Sequence, residues 1–212
     1  IITGVELGTQ FADKSVHILG YHVSTDCSSL QQKMDEMRHA REHRLTKMLA
    51  KLDNLGFHIE VEACDPKNRA VGRPHVAKAL VAQGYFASVQ EVFDALLYQG
   101  GPGYVPQPKL SPLEAVDLIH QAGGIAVLAH PSEIESLEVI KKLLDEVSFD
   151  GLEVYHPSAD AKMREYWLKI ANSRGLLISG GSDFHGIPDR FPKEMGIWQV
   201  NYNDVQGVVE WK

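Results

Sequence analysis

Glu6, His17, His130, Asp183 and His185 are the residues of this 212-residue chain whose types and placement could do chemistry. Each falls at or near the end of a stretch that reads as a strand: GVELGT, VHILGY, GGIAVLAHP and GGSDFHG. His156 closes a further stretch of the same design, DGLEVYHP. Carboxylate oxygen and neutral imidazole are the donors that hold divalent ions around an open position, and a carboxylate can bridge two of them. The triplet Asp183-Phe184-His185 sends two donors from one turn while Phe184 can return to the core, and Gly180 and Gly181 let backbone approach closely. Taken singly, a His or Asp at a strand end is as readily a cap or turn residue. The pair Glu6 and His17, near one end of a hairpin, reads equally as part of a metal site or as an outer hydrogen bond that orients a ligand. A nucleophilic triad is the competing chemistry, but neither Ser132 nor Ser182 stands in a GxSxG strand-to-helix elbow. Metal-dependent hydrolysis is the favoured reading.

Rigid strand ends are where an α/β scaffold delivers ligands into a shared crevice. The pattern predicts strands over 1–7 and 15–23, joined by a polar turn TQFADKS, so that Glu6 and His17 meet if the strands pair. A long helix follows from Leu30 to a stop at Gly56, with Leu30, Met34, Met37, Arg41, Leu45, Met48, Leu49 and Leu52 as its inner stripe. Helices beginning near Arg73 or Pro74 and spanning 89–98 form a small helical unit released by Gly100, Gly101 and Gly103. From Ser111 onward helices and strands alternate: helix 112–122, strand 125–129, helix 135–145, strand 150–155, helix 160–174, strand 176–179 and a short strand near 197–200. Ser111, Pro112 and Glu114 are placed to cap the first of these helices. Apolar strands separated by helices predict a parallel sheet covered on both faces. Trp198 and Trp211 read as packing residues.

Composition bounds the function. A hydrophobic content of 44% with 23% charged residues is that of an ordinary folded protein. No apolar run approaches membrane-spanning length and the start lacks a signal-peptide pattern, which makes a cytoplasmic setting the expectation. Cys27 and Cys64 are isolated, so neither a disulfide framework nor a cysteine zinc site is expected. A net charge of −7 argues against general nucleic-acid binding but leaves room for a local phosphate pocket. Two places could supply it. Arg38, His39, Arg41, His43 and Arg44 form a basic cluster that reads as a solvated helix face or as a rim attracting phosphate. Arg73 and His75 stand at a helix start, where they are either anion contacts or simple end caps, and Lys109 has a smaller claim.

The stretches GVELGT, VHILGYHV, GRPHVAKALV, GGPGYVP, GGIAVLAHP, DGLEVYHP and GGSDFHG together resemble the PHP (polymerase and histidinol phosphatase) family of metal-dependent phosphoesterases, over almost the whole chain and in order. The closest likeness is to the nucleoside 3',5'-bisphosphate phosphatases, some of which are 5'-to-3' exoribonucleases. The resemblance implies a distorted (β/α)7 TIM-like barrel, here residues 1–35 and 106–212, lacking its first strands and interrupted by a helical cap over 36–105. It implies two or three divalent ions, manganese, iron or zinc. Glu6 would bridge two of them, with His17 and His130 on one, Asp183 on the other and His185 on a third. A hydroxide held between the ions would attack phosphorus, making Glu6, His130, Asp183 and His185 the catalytic set. Arg73, His75 and His156 would contact the substrate, a nucleotide or short RNA, with no role for duplex DNA or a membrane. Histidinol phosphate is the alternative substrate, and nucleotide binding without turnover the alternative function.

Members of the family carry a His-x-His strand, an Asp and a Thr-Asp-His strand end upstream of the GVE stretch, and this sequence does not contain them. It begins without Met, directly in a strand-like segment. The expectation is that these residues are the downstream part of a longer enzyme, and that alone they hold an incomplete metal site and open, self-associating sheet edges.

Overall fold

A computed structural model of the chain describes residues 1–60, 71–186 and 191–211, so the Cys64 expectation lies outside the described residues. In chain order the elements are β1 (Gly4–Phe11), β2 (Lys14–Tyr21), α1 (Ser28–Asn54), α2 (Arg73–Ala82), α3 (Val89–Val92, continued by a π turn Phe93–Leu97), α4 (Pro112–Gln121), β3 (Ile125–Leu128), α5 (Leu137–Glu146), β4 (Gly151–Tyr155), α6 (Ala161–Arg174), β5 (Leu177–Gly180) and α7 (Tyr202–Val209). The chain divides into two compact units, Ile1–Gln31 with Lys109–Lys212, and Gln32–Pro108. No helix among the described residues is long and apolar enough to cross a membrane.

The first unit is built on a five-stranded mixed sheet in the order β1-β2-β3-β4-β5. β2 runs antiparallel to both of its neighbours, β1 and β3, whereas β3, β4 and β5 are parallel, as the alternation of helix and apolar strand predicts. β3 is buried along its whole length, and Ile119 of α4, Ile140 and Leu143 of α5 and Trp167 of α6 are almost completely buried with it. Each such side chain contributes roughly 1.5–3 kcal/mol by leaving water. Helix α4 starts in the predicted capping box: Ser111 Oγ accepts from Glu114 N–H at 3.3 Å, and Glu114 Oε2 accepts from Ser111 N–H at 2.8 Å. Asp150 ties the sheet's far end together, its Oδ2 accepting from Ala126 N–H at 2.7 Å.

Three local expectations are corrected. TQF belongs to β1 rather than to a loop, and the hairpin turns on Ala12 and Asp13 alone. These two residues have φ of 45° and 63°, the left-handed pair that matches the twist of the flanking strands. Thr9 is tolerated in that strand because its buried hydroxyl donates to Val16 O at 2.8 Å. Residues 197–200 form no strand: Val200 lies against Gly180, 3.1 Å from where a Cβ would stand, and α7 packs on β5 instead. Trp211 is exposed, whereas Trp198 lies beneath the Arg164 guanidinium, 5.8 Å from its carbon.

The second unit has its own core of Leu45, Met48 and Leu52 from α1, Val76 and Leu80 from α2, and Leu97. Gly56, with φ of 88°, ends the α1 segment as expected. The inner stripe is shorter than predicted, since Met34 is exposed.

Candidate metal centre

The register of the β1–β2 hairpin creates the first half of the site. Glu6 faces Leu19 across the ladder and His17 faces Gly8, so Glu6 and His17 are diagonal neighbours on one face. His17 Nδ1 lies 2.8 Å from Glu6 Oε1. β3 adds the third member: Ala129 N–H donates to His17 O at 3.1 Å, and His130 follows at the strand end. Its Nε2 is 3.3 Å from His17 Nδ1 and 3.6 Å from Glu6 Oε1, with the two imidazoles edge to face at 86°.

Asp183 and His185 come from the turn after β5. Asp183 has φ of 53°, and His185 Nδ1 lies 2.7 Å from Asp183 O and 3.3 Å from its Oδ1. One ligand atom from each of Glu6, His17 and His130 falls within 4.8 Å of the others, and the same holds for Glu6, Asp183 and His185. Glu6 is therefore common to two donor groups. All five sequence-predicted donors meet in one place, within the first unit.

The electrostatics suit a cation. Hydrogen bonds from His130 and His17 outweigh burial and hold the Glu6 carboxyl far below the usual carboxylate range. Burial opposes protonation of His130, yet its hydrogen bond to Glu6 and the charges of Glu133 and Glu153 leave its pKa raised overall. Mixed carboxylate and imidazole donors at this spacing are the ligand chemistry of zinc, manganese and iron, and the residues present fit such an ion.

His156 is buried beside this cluster, its ring centroid 5.2 Å from that of His130. Ser158 N–H donates to His156 Nδ1 at 3.2 Å, which leaves the proton of the neutral ring on Nε2. That Nε2 is buried and has no hydrogen-bond partner among the described residues. Burial, then the neighbouring His130, lowers the His156 pKa and favours this neutral form.

The other candidates are placed differently. Arg73 and His75 belong to the second unit. Arg73 Nη1 donates to Leu97 O at 3.0 Å and its guanidinium lies over the rings of Phe93 and Tyr104, at 5.6 and 5.4 Å. His75 Nδ1 accepts from Gly72 N–H at 3.1 Å, the helix-capping alternative noted for it. Lys109 Nζ donates to Ser15 Oγ at 3.1 Å. In the basic cluster, Arg44 is buried and donates through Nε to Val105 O at 2.7 Å, so it serves packing rather than a solvated rim. Ser132 Oγ accepts from Trp167 Nε1–H at 2.9 Å, which occupies it structurally.

Two carboxylates escaped the sequence reading. Glu133 Oε2 is 3.4 Å from His130 Nδ1. Glu153 is buried in the middle of β4, where its Oε2 accepts from His130 N–H at 2.8 Å, and burial pushes its carboxyl up to about 7. The available signal was a lone acid in the otherwise uncharged GLEVY, a residue that an apolar strand does not bury without a partner.

No family model matches the chain. The 5'-3' exoribonuclease Rnm of Escherichia coli strain K12 is 33% identical over 193 residues, covering 87% of this chain and 65% of that enzyme. The 3',5'-nucleoside bisphosphate phosphatase of Chromobacterium violaceum is 31% identical over 192 residues, covering 87% of this chain and 67% of that protein. A solved structure from Bifidobacterium adolescentis, designated a metal-dependent phosphoesterase, superposes with a TM-score of 0.74 at 28% identity, over 98% of this chain and 75% of that one. The chain thus spans about two thirds of the length of these curated relatives.

Proposed function

This chain belongs to the PHP family of metal-dependent phosphoesterases, and we propose on that premise that it hydrolyses phosphate esters of nucleotides, either nucleoside 3',5'-bisphosphates or the 5' ends of short RNA. The observation that carries the reading is the placement of Glu6 in both donor groups, because a shared carboxylate is what joins neighbouring ions into one hydrolytic centre. Glu6, His17 and His130 would hold one divalent ion and Glu6 with Asp183 a second. A third at His185 follows from the resemblance, with manganese, iron or zinc as the ions. The chemistry supplied by ions held there would be polarisation of phosphoryl oxygens and a water-derived nucleophile at neutral pH.

The chain's own residues do the rest. Glu6 stays ionised throughout the physiological range, since its neighbours favour the carboxylate. His17 turns Nδ1 and His130 turns Nε2 toward it, so the nitrogens that donate to the Glu6 carboxylate would, once deprotonated, offer their lone pairs to an ion on the same side. His156 holds an N–H at Nε2 that no described residue accepts, suited to a phosphoryl or leaving-group oxygen. Arg73 and His75 are proposed as further phosphate contacts; the structure engages one guanidinium nitrogen of Arg73 with the backbone.

The five-stranded sheet is proposed to be part of the family's distorted (β/α)7 barrel, with the second unit as the inserted cap. The test is phosphate release by the protein supplied with manganese, from a nucleoside 3',5'-bisphosphate, a 5'-phosphorylated oligoribonucleotide and histidinol phosphate in parallel. Turnover of the first two in preference to the third is expected. Preference for histidinol phosphate would reassign the substrate, and nucleotide binding with no turnover would replace the enzyme by a binding domain.

A further inference from the structure

His130 has to leave β3 and turn its ring toward Glu6 within a single residue. It does so with φ of 25° and ψ of 61°, a region that side chains with a Cβ rarely adopt. The following turn holds only its carbonyl, which accepts from Glu133 N–H at 2.9 Å. Ala129 N–H is the last to join the ladder, bonding His17 O at 3.1 Å, and Pro131 has no N–H to offer. The remaining donor, His130 N–H, reaches across to the next strand and meets Glu153 Oε2 at 2.8 Å.

Glu153 is an expensive group to place there. It is 5% exposed and the sole charged side chain of β4. Its other oxygen approaches the chain after β5: a Cβ added to Gly181 would stand 3.7 Å from Oε1. The carboxylate therefore lies between the two strand ends that carry His130 and Asp183.

We infer that Glu153 is a positioning residue of the centre: from β4 its carboxylate holds the left-handed backbone of His130 and so sets the approach of that imidazole to Glu6 and His17. A buried carboxylate in this place also faces the charge of bound cations, which offsets its desolvation. The inference rests on the proposed metal centre.

Two replacements test it. Glu153→Gln keeps an oxygen acceptor of the same reach, and Glu153→Met keeps the shape without one. Hydrogen exchange of the His130 amide reads the contact itself, and titration with Co(II), followed by its visible absorption, reads the geometry and affinity of the centre. In Glu153→Met the His130 amide should lose its protection and Co(II) affinity should fall about ten- to a hundred-fold, whereas Glu153→Gln should stay within about threefold of the unsubstituted protein. A folded Glu153→Met protein with a protected His130 amide and unchanged Co(II) binding would overturn the inference. If Glu153→Met fails to fold, Glu153→Gln decides alone: a hundred-fold loss of Co(II) affinity there, with the acceptor still present, would equally overturn it. Failure of the unsubstituted protein to bind Co(II) would be a different result, overturning the proposed centre and this inference with it.

Discussion

Glu6 and His17 sit two positions out of register on adjacent antiparallel strands, and their side chains close to 2.8 Å between Oε1 and Nδ1. That diagonal is the seed of the site, because the same Glu6 oxygen lies 3.6 Å from His130 Nε2 and the same carboxylate groups with Asp183 and His185.

The β5 end depends on close backbone approach. A Cβ at Gly180 would stand 2.5 Å from Tyr155 Cβ and 2.7 Å from Tyr155 O, at the point where the β4–β5 register slips. Gly180→Ala should cost about 1–3 kcal/mol in urea unfolding and weaken metal binding through the displaced Asp183 turn. Unchanged stability and metal affinity would contradict the placement of this turn.

Replacing Asp183 by Ala should abolish hydrolysis while leaving the far-ultraviolet spectrum and the unfolding transition in place, since the residue lies in a loop outside the core. Persistent activity in the purified variant would remove Asp183 from the centre.

His156 should act on the substrate rather than on the ions. Among the described residues its Nε2 belongs to neither donor group and has no hydrogen-bond partner. His156→Ala should lower kcat/KM by roughly 10–100-fold, the size of one hydrogen bond to a charged oxygen, with metal content unchanged. Loss of metal in step with activity would instead make it a ligand.

In metal-free protein, burial raises the Glu153 carboxyl from 4.5 to about 7. The folded state then binds a proton that the unfolded state releases, so this group's contribution to stability falls as pH rises from about 4.5 to 7. Ionising it in the fold costs about 3 kcal/mol by the top of that window. Glu153→Gln, which does not ionise, should gain stability relative to the unsubstituted protein by about that amount between pH 5 and pH 8, measured by urea unfolding in chelator. Parallel pH profiles would contradict a buried, uncompensated carboxyl.

Much of this arrangement was legible in the residues. Ser111 and Glu114 announced the start of α4, the apolar runs at Ile125 and Leu152 announced parallel strands, and the five donors stood out as polar residues at strand ends. What escaped depended on tertiary partners. Ala12 and Asp13 carry no glycine to mark a two-residue hairpin turn. Met34 fits a helical stripe by spacing, but spacing alone does not say where the core ends. Arg44 looks like one charge among several until its bond to Val105 O is seen. Glu153 is polar at a position where periodicity demands an apolar residue, and only the bent backbone of His130 explains it.

The most direct test of the central claim is metal content by elemental analysis, compared between the unsubstituted protein and Glu6→Gln after loading with manganese and desalting. Because Glu6 is common to both donor groups, the unsubstituted protein should retain at least two equivalents, and the single substitution should deplete both sites together. A folded Glu6→Gln protein that keeps its full load, or an unsubstituted protein that keeps none, would contradict the account.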